Sequence, residues 1–544
     1  MRKVLLIAGI TLLITAVFAE QIGIDNDEGW GAGRLIILIS GLAVILSDIL
    51  SILYQEQFAK LIKYISAYRH LFAAVVIVSI VYVWLAQLNL KHTQKNFKYY
   101  SELARSFKSG HLYLAEEPSP ALLSLSNPYN YDLRLESKVE DFPWDVSLYN
   151  KKFYVYWGPA PSLILTIFSN QQLSQIGDRH LVLGFAFGLF LYAVLIVMRF
   201  FEKSLPNAPG WLLGVSVLTL GLTAPATIML KESRVYEASI FGCQFFFIGG
   251  CYWAYSSISD SKPVVWKLAL AGLHWVFSFG TRITILPAVL YSATATIIYI
   301  LIVFKITSLG KIVPTALAIG ASLLLGVSVS GWYNWARFDS IFEFGLKYQL
   351  TNTDYNVFQD SFSTSHIANN IYLYFAHPLK IHPWFPFLFR IEYPYTNERL
   401  GGLIFIAPFI LLVFSPLVSM AGKYLSVKKE AGSEGFANPS EKWLITMFSG
   451  SALISMVVTL SFWFTTMRYI EDFMPSLLLL TTIIVGRAHR TSGINLVQKD
   501  VFAVITITLA TITITAGALV ALQSDSMIFW VNFVNSMLNI LQLK

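Results

Sequence analysis

The stretch LVLGFAFGLFLYAVLIVM, residues 181–198, decides the class of fold, because it contains no charged side chain. A helix needs about 20 predominantly apolar residues to cross a bilayer, and a spanning helix satisfies its own backbone polar groups where no water is present. The basic residues Arg199 and Lys203 follow directly, at the position where a membrane helix meets the headgroups. The sequence therefore predicts a transmembrane helix here.

Twelve further apolar runs of similar character follow from one end of the chain to the other. They lie near residues 4–19, 35–54, 71–90, 211–230, 236–255, 265–280, 283–304, 312–335, 403–420, 443–464, 473–486 and 501–522. We predict an all-α polytopic membrane protein with about thirteen transmembrane helices, or fourteen if the weaker stretch 527–543 also spans.

The composition excludes an ordinary soluble enzyme. Of 544 residues, 55% are hydrophobic and only 13% are charged. The formal net charge of +7 is spread over short loops without a basic stripe, so nucleic acid is not an expected partner. The only two cysteines, Cys243 and Cys251, lie in one apolar segment and are predicted to be packing residues.

The basic residues also predict the orientation of the chain in the cell's inner membrane. With the N-terminus in the cytoplasm, the positive-inside rule is satisfied, provided that residues 159–168 re-enter the membrane or lie on its outer surface. Two long loops, residues 92–158 and 337–401, are then extracytoplasmic. The first segment has the pattern of a signal peptide, and we expect it to remain as an anchor.

Four arginines lie at the outer ends of apolar segments under this topology. A guanidinium forks onto phosphate oxygens, so converging arginines at membrane depth are candidates to bind a lipid phosphate. The alternative is that each side chain merely extends to the headgroups. The four candidates are Arg282, Arg337, Arg468 and Arg234.

Carboxylates and aromatic side chains gather at the same level. The candidate general bases are Asp145, Glu102 and Glu237. Asp145 is equally well explained as a residue that caps a turn, and Glu237 as a carboxylate that stabilises the start of a helix through the helix dipole. Residues 99–107 and 366–375 are predicted to form helices lying on the outer leaflet. The candidate substrate-binding residues are Tyr100, Trp144, Tyr149, Tyr154, Tyr156, Tyr236, Tyr348 and Asp472.

Several motifs, in this order, resemble those of bacterial GT-C glycosyltransferases, relatives of the protein O-mannosyltransferases and aminoarabinose transferases. They are YYSELARSFKSGHLYL (99–114), NPYNYDLR (127–134), PWDVSLYNKKFYVYWGPAPSL (143–163), VYEASI (235–240), GTRITILP (280–287), YNWARFDSIFEFGLKYQL (333–350) and RYIEDFMP (468–475). The chain departs from the family pattern in LNLKHTQKNFKYY, where no acidic residue follows the first core helix before Glu102.

The resemblance implies an inverting transfer of a sugar from a polyprenyl-phosphate carrier to an acceptor outside the membrane. The acceptor, whether cell-envelope glycan, lipid or protein, is left open, and membrane lipids are expected partners. Residues 1–70 would be an accessory transmembrane hairpin with its linker, 71–486 the GT-C-like catalytic core with a long first core loop containing juxtamembrane helices, and 487–544 C-terminal transmembrane or interfacial helices. No cofactor is assigned, and a divalent metal remains an open question.

Two functions from other classes are alternatives to this sugar transfer. A transporter or flippase of lipid-linked saccharides needs polar residues deep within the helices, and the sequence has few. A non-catalytic partner in polysaccharide assembly would keep the topology without needing the carboxylates.

Overall fold

A computed structural model describes residues 2–19, 68–88, 98–259, 262–305, 308–383, 385–416, 439–491 and 496–523, with isolated positions between 34 and 66. The chain divides into two compact units, Met1–Ala73 and Ala74–Lys544. The first unit contains the apolar helix Arg2–Val17. Most of the predicted span 35–54 and all of the stretch 527–543 lie outside the described residues. The three-part division expected from the sequence stays a prediction.

The chain is a helical membrane protein. Within the described residues, six helices are long and apolar enough to cross a bilayer, and a seventh span would be a pair of helices, Gly210–Leu222 and Ala226–Glu232, bent by 42°. The six are Arg69–Gln87, Asp178–Ser204, Ile283–Val303, Val313–Phe338, Pro439–Leu460 and Lys499–Leu522. The charge-free run 181–198 therefore lies in one of these helices, Asp178–Ser204.

The expected total of about thirteen spans is not confirmed. Three more predicted segments do form helices, at Val235–Ile258, Val265–Thr281 and Met474–Thr491, but they are too short or too polar to qualify by length and hydropathy. These helices are nevertheless well buried, and Val235–Ile258 packs against both Asp178–Ser204 and Val265–Thr281.

The predicted span 403–420 is not a continuous α-helix. A four-residue helix, Leu403–Ile406, ends at Ala407, and a 3₁₀ helix follows at Pro408–Phe414. Proline has no amide to continue the hydrogen bonding, and Ala407 leaves the helical region with φ −143°. The amide of Phe409 instead donates to the Thr513 hydroxyl at 3.0 Å.

Both long loops contain short strands, so the expectation of a purely helical chain is wrong in the loops. Ser147–Tyr149 pairs antiparallel with Lys152–Tyr154 in the first loop. Leu379–Ile381, Leu388–Tyr393 and Glu398–Leu400 form a three-stranded antiparallel sheet in the second. The remaining described helices in and near these loops are Tyr99–Lys108, Pro120–Leu123, Tyr131–Glu136, Ala160–Leu165, Asn170–Gln175 and Ile367–Ile371.

The predicted short helices are present. Tyr99–Lys108 buries Tyr100 and Leu103, as its three- and four-residue spacing requires. Residues 364–376 are helical throughout, as a 3₁₀ turn, an α-helix and a π-helix in succession. The segment 159–168 contains only the six-residue helix Ala160–Leu165, which rises about 9 Å and cannot span a membrane.

Backbone hydrogen bonds join the two long loops to each other and to the helix ends. The Asp145 amide donates to the Leu350 carbonyl at 3.0 Å, and the Leu350 amide donates to Val146 at 2.9 Å. The Gly158 amide donates to the Thr281 carbonyl at 3.1 Å, beside the break between two helices. These contacts bring residues far apart in sequence around one cavity.

Candidate active site

The cavity has a volume of about 820 Å³ and lies where the two long loops meet the ends of the helices. Nine of the fifteen candidate site residues line it, and both loops and four helix termini contribute. The nine are Asp145, Trp144, Tyr156, Arg234, Tyr236, Arg282, Arg337, Arg468 and Asp472. A cavity of this size and mixed lining is typical of a small-molecule site.

Asp145 places a buried carboxyl group in the cavity wall. Its backbone is left-handed, with φ +61°, a conformation that non-glycine residues rarely adopt. The Tyr236 hydroxyl donates to Oδ2, whereas the buried Oδ1 has no hydrogen bond of ordinary geometry among the described residues. Burial raises the pKa of Asp145, and the Tyr236 hydrogen bond, the neighbouring Thr351 hydroxyl and the Arg468 charge oppose that shift. A carboxylate with a raised pKa is the stronger base.

Arg282 lies in the break between the helices Val265–Thr281 and Leu286–Val303. Its Nη2 donates to Asp472 Oδ2 at 2.9 Å, and its guanidinium lies 5.0 Å from the centre of the Tyr469 ring. Burial raises the pKa of Asp472, and the charge of Arg282 opposes the shift. The two predicted site residues therefore form one ion pair at the cavity surface.

Arg468 lies beside the same tyrosine. Its guanidinium is 5.5 Å from the Tyr469 ring and 4.7 Å from the Tyr236 ring, so Arg282 and Arg468 flank one aromatic side chain. Nη1 donates to Glu398 Oε1 at 3.2 Å, and Nε is buried without a partner among the described residues. Arg468 thus connects the arginine group to Asp145 through Tyr236.

Arg234 reaches the cavity but is held by two carboxylates. Its Nη2 lies 3.0 Å from Glu237 Oε1 and 3.1 Å from Glu232 Oε2. Glu237 also accepts from the Arg234 amide at 3.0 Å, in a capping box at the start of Val235–Ile258. The predicted base Glu237 is therefore a buried structural residue that does not line the cavity.

Arg337 is held by uncharged oxygens. Its nitrogens donate to the Tyr333 carbonyl at 3.2 Å, the Val155 carbonyl at 3.1 Å and the Asn334 side chain at 2.9 Å. Its guanidinium packs 3.8 Å from the centre of the Tyr333 ring. Arg337 therefore fixes the first long loop onto the end of the helix Leu309–Phe338 while facing the cavity.

Six candidates do not line the cavity. Glu102 pairs with Arg105 at 3.0 Å on the same helix, where the i, i+3 spacing makes the contact local. Tyr100 is fully buried on the helix Tyr99–Lys108. Three tyrosines pack around Phe338 behind the cavity, with ring centres 5.3–5.8 Å from it, and they are Tyr149, Tyr154 and Tyr348. The sixth is Glu237.

Sequence reasoning missed several lining residues. Glu398 and Tyr469 were not selected, although Tyr469 lies inside the motif RYIEDFMP. The segment Thr351–Thr353 and the aromatic residues Phe362 and Trp463 were missed as well. Thr351 could have been identified from the sequence, because it directly follows the motif that ends at Leu350. Glu398 could not have been identified in this way, because its contact with Arg468 depends on the fold of a hairpin.

No group of three or more His, Cys, Asp or Glu side chains is placed to hold a metal ion within the part of the chain that the structure describes. The two cysteines are buried, as expected of packing residues.

No protein-family model matches the chain, and no curated protein matches its sequence. Among solved structures, it is similar to the crystal structure of the Archaeoglobus fulgidus oligosaccharyltransferase in the apo form, with 11% sequence identity and a TM-score of 0.39. The match covers 84% of this chain and 57% of the oligosaccharyltransferase chain. At that identity and TM-score the likeness assigns no activity, and the function proposed below rests on the cavity.

Proposed function

We propose that the chain is a membrane glycosyltransferase that moves a sugar from a polyprenyl-phosphate carrier to an acceptor at the extracytoplasmic face. The observation that carries this proposal is the cavity in which Asp145, Arg282 and Arg468 meet, joined by tyrosine rings. The resemblance of the outer-loop motifs to the GT-C family supports the same assignment.

The arginines would stabilise the leaving group. As the bond between the anomeric carbon and the phosphate oxygen breaks, the electron pair stays on the phosphate, and Arg282 and Arg468 meet the developing charge. Each guanidinium already has a carboxylate partner, Asp472 or Glu398. The phosphate would therefore either share the guanidinium with that carboxylate or displace the carboxylate from it. Arg337 adds a further positive charge in the cavity wall.

Asp145 would act as the general base. The acceptor hydroxyl attacks the anomeric carbon from the face opposite the phosphate, and Asp145 takes its proton, so that the transfer inverts the configuration. Asp145 fits this role better than Glu102 or Glu237, because it alone of the three lines the cavity.

The direct test is incubation of the purified protein with a panel of radiolabelled polyprenyl-phosphate sugars and a delipidated cell-envelope fraction. Transfer releases free polyprenyl phosphate and labels an acceptor, and Asp145→Asn should abolish both. A flippase would relocate an intact donor in liposomes, and an assembly partner would leave it unchanged. Either result would overturn the proposal.

A further inference from the structure

We propose that Phe362, Phe462 and Trp463 form an aromatic platform that binds a sugar ring of the substrate. This inference rests on the proposed function and deepens it, because it assigns the part of the cavity wall on which a saccharide packs. All three residues line the cavity, yet they come from two segments about 100 residues apart.

Backbone hydrogen bonds hold the platform in a fixed shape. The Trp463 amide donates to the Ser361 carbonyl at 3.0 Å, and the Ser363 amide donates to the Ser461 carbonyl at 2.8 Å. This antiparallel contact places the rings of Phe362 and Phe462 at a centre-to-centre distance of 4.9 Å. A preformed aromatic surface loses little conformational entropy when a ligand binds to it.

The platform leaves one aromatic surface accessible to a ligand. Phe362 is 51% exposed although it lies in a cavity wall. Trp463 is supported from behind by Phe358, whose ring centre is 4.9 Å away. A pyranose ring has a face of C–H groups that packs on such a surface, in the way that other flat or amphipathic groups stack on aromatic side chains.

Uncharged polar groups share the cavity lining with the platform. They are Thr351, Asn352, Thr353, Thr396 and Asn397. Hydroxyl and amide groups both donate and accept hydrogen bonds, which is what the hydroxyls of a sugar require. An isoprenoid chain would leave all of these groups without partners, so the lining favours a saccharide over the tail of the carrier.

The platform lies next to the arginine pair and shares the cavity with Asp145. The Phe462 ring centre is 5.8 Å from that of Tyr469, and the guanidinium groups of Arg282 and Arg468 lie 5.0 Å and 5.5 Å from the Tyr469 ring. A sugar that packs on the platform is therefore held in the same cavity as the proposed base and the arginines.

The test measures saccharide binding without any donor. The full-length protein in lipid nanodiscs is titrated with cellotriose, maltotriose, mannotriose and chitotriose, and saturation-transfer difference NMR gives the Kd of each. We expect at least one trisaccharide to bind saturably, and Phe362→Ala to weaken it about tenfold. Phe362→Tyr should retain binding, and Tyr372→Ala, which removes a similarly exposed ring outside the cavity, should leave it unchanged.

A titration with citronellyl phosphate tests whether the platform binds an isoprenoid chain instead of a saccharide. If Phe362→Ala weakens citronellyl phosphate and not the trisaccharide, the platform binds isoprenoid chains and the inference is wrong. Failure of all four trisaccharides to bind also overturns it. If a trisaccharide binds but no donor is cleaved, the proposed glycosyl transfer is wrong, whereas the saccharide-binding platform is supported.

Discussion

The chemistry of the cavity depends on a few side chains that restrain one another. Asp145 sits in a left-handed backbone conformation that two backbone hydrogen bonds to Leu350 of the other loop hold in place, and Tyr236 restrains its carboxyl group. Backbone conformations of this kind cost of order 1 kcal/mol or more and persist where surrounding contacts fix them. The direction of the carboxyl group is therefore set by the fold.

Removal of the Tyr236 hydroxyl should alter the pH dependence of transfer. Its hydrogen bond stabilises the ionised carboxyl and lowers the pKa of Asp145, so Tyr236→Phe lets that pKa rise further. A general base works only when ionised, so the acid limb of kcat/KM should move to higher pH, with roughly tenfold lower activity on that limb. Tyr149→Phe is the matched control, because its hydroxyl also bonds an aspartate, Asp339, outside the cavity. An unmoved limb in Tyr236→Phe would remove Asp145 as the base.

The ion pair Arg282–Asp472 predicts that Arg282 contributes to the stability of the protein as well as to phosphate binding. Arg282→Ala leaves a mostly buried carboxylate without its partner and should lower the free energy of unfolding by about 3 kcal/mol, besides abolishing transfer. Adding Asp472→Asn removes the stranded charge and should recover most of the stability but none of the activity. Thermal unfolding in detergent measures the first effect. Full activity of Arg282→Ala would contradict the phosphate role.

Among the structural elements, the end of the first long loop packs against the helix break that contains Arg282. Gly158 packs directly on the backbone of the residues that precede Arg282, and a Cβ built there would lie 2.2 Å from the Gly280 carbonyl oxygen. Only glycine permits so close an approach. The first loop and the break between two helices are therefore positioned as one unit.

Gly158→Ala should displace that unit. Because the clash is with backbone atoms, the chain must separate locally, at an expected cost of about 1–3 kcal/mol and with most of the transfer activity lost. Gly184→Ala is the control, since it lies in the helix Asp178–Ser204 with nothing within 4 Å of the added carbon. That variant should unfold at the same temperature as the wild type or slightly higher. Equal behaviour of the two variants would show that the contact has no positioning role.

The sequence predicted elements better than it predicted contacts. The helix Tyr99–Lys108 followed from local spacing, and Asp145 was selected from its aromatic surroundings. Tyr149 and Tyr348 were selected on the same grounds, yet they pack behind the cavity, because residue type does not reveal which side of a loop faces inward. The pairing of Arg468 with Glu398 joins residues 70 positions apart and depends on how a hairpin folds.

For the whole molecule, a labelling experiment can test the predicted orientation, in which both long loops are extracytoplasmic. Both native cysteines are buried, so they should not react with a charged maleimide. In intact cells, Ser137→Cys on the first long loop should be labelled, and Asn207→Cys, between two predicted spans on the cytoplasmic side, only after permeabilisation. The reverse pattern would place Asp145 in the cytoplasm and remove the extracytoplasmic reaction.

The carboxylates already bound to Arg282 and Arg468 have a consequence for selectivity. A bare cluster of guanidinium groups would attract any anion, but here sulfate or inorganic phosphate would have to compete with Asp472 and Glu398 and would gain little by doing so. Only a ligand that makes additional contacts along the cavity can compensate for that exchange. Under the proposed function, these two carboxylates would therefore exclude the small anions of the surrounding medium from the place that the phosphate of a much larger donor would occupy.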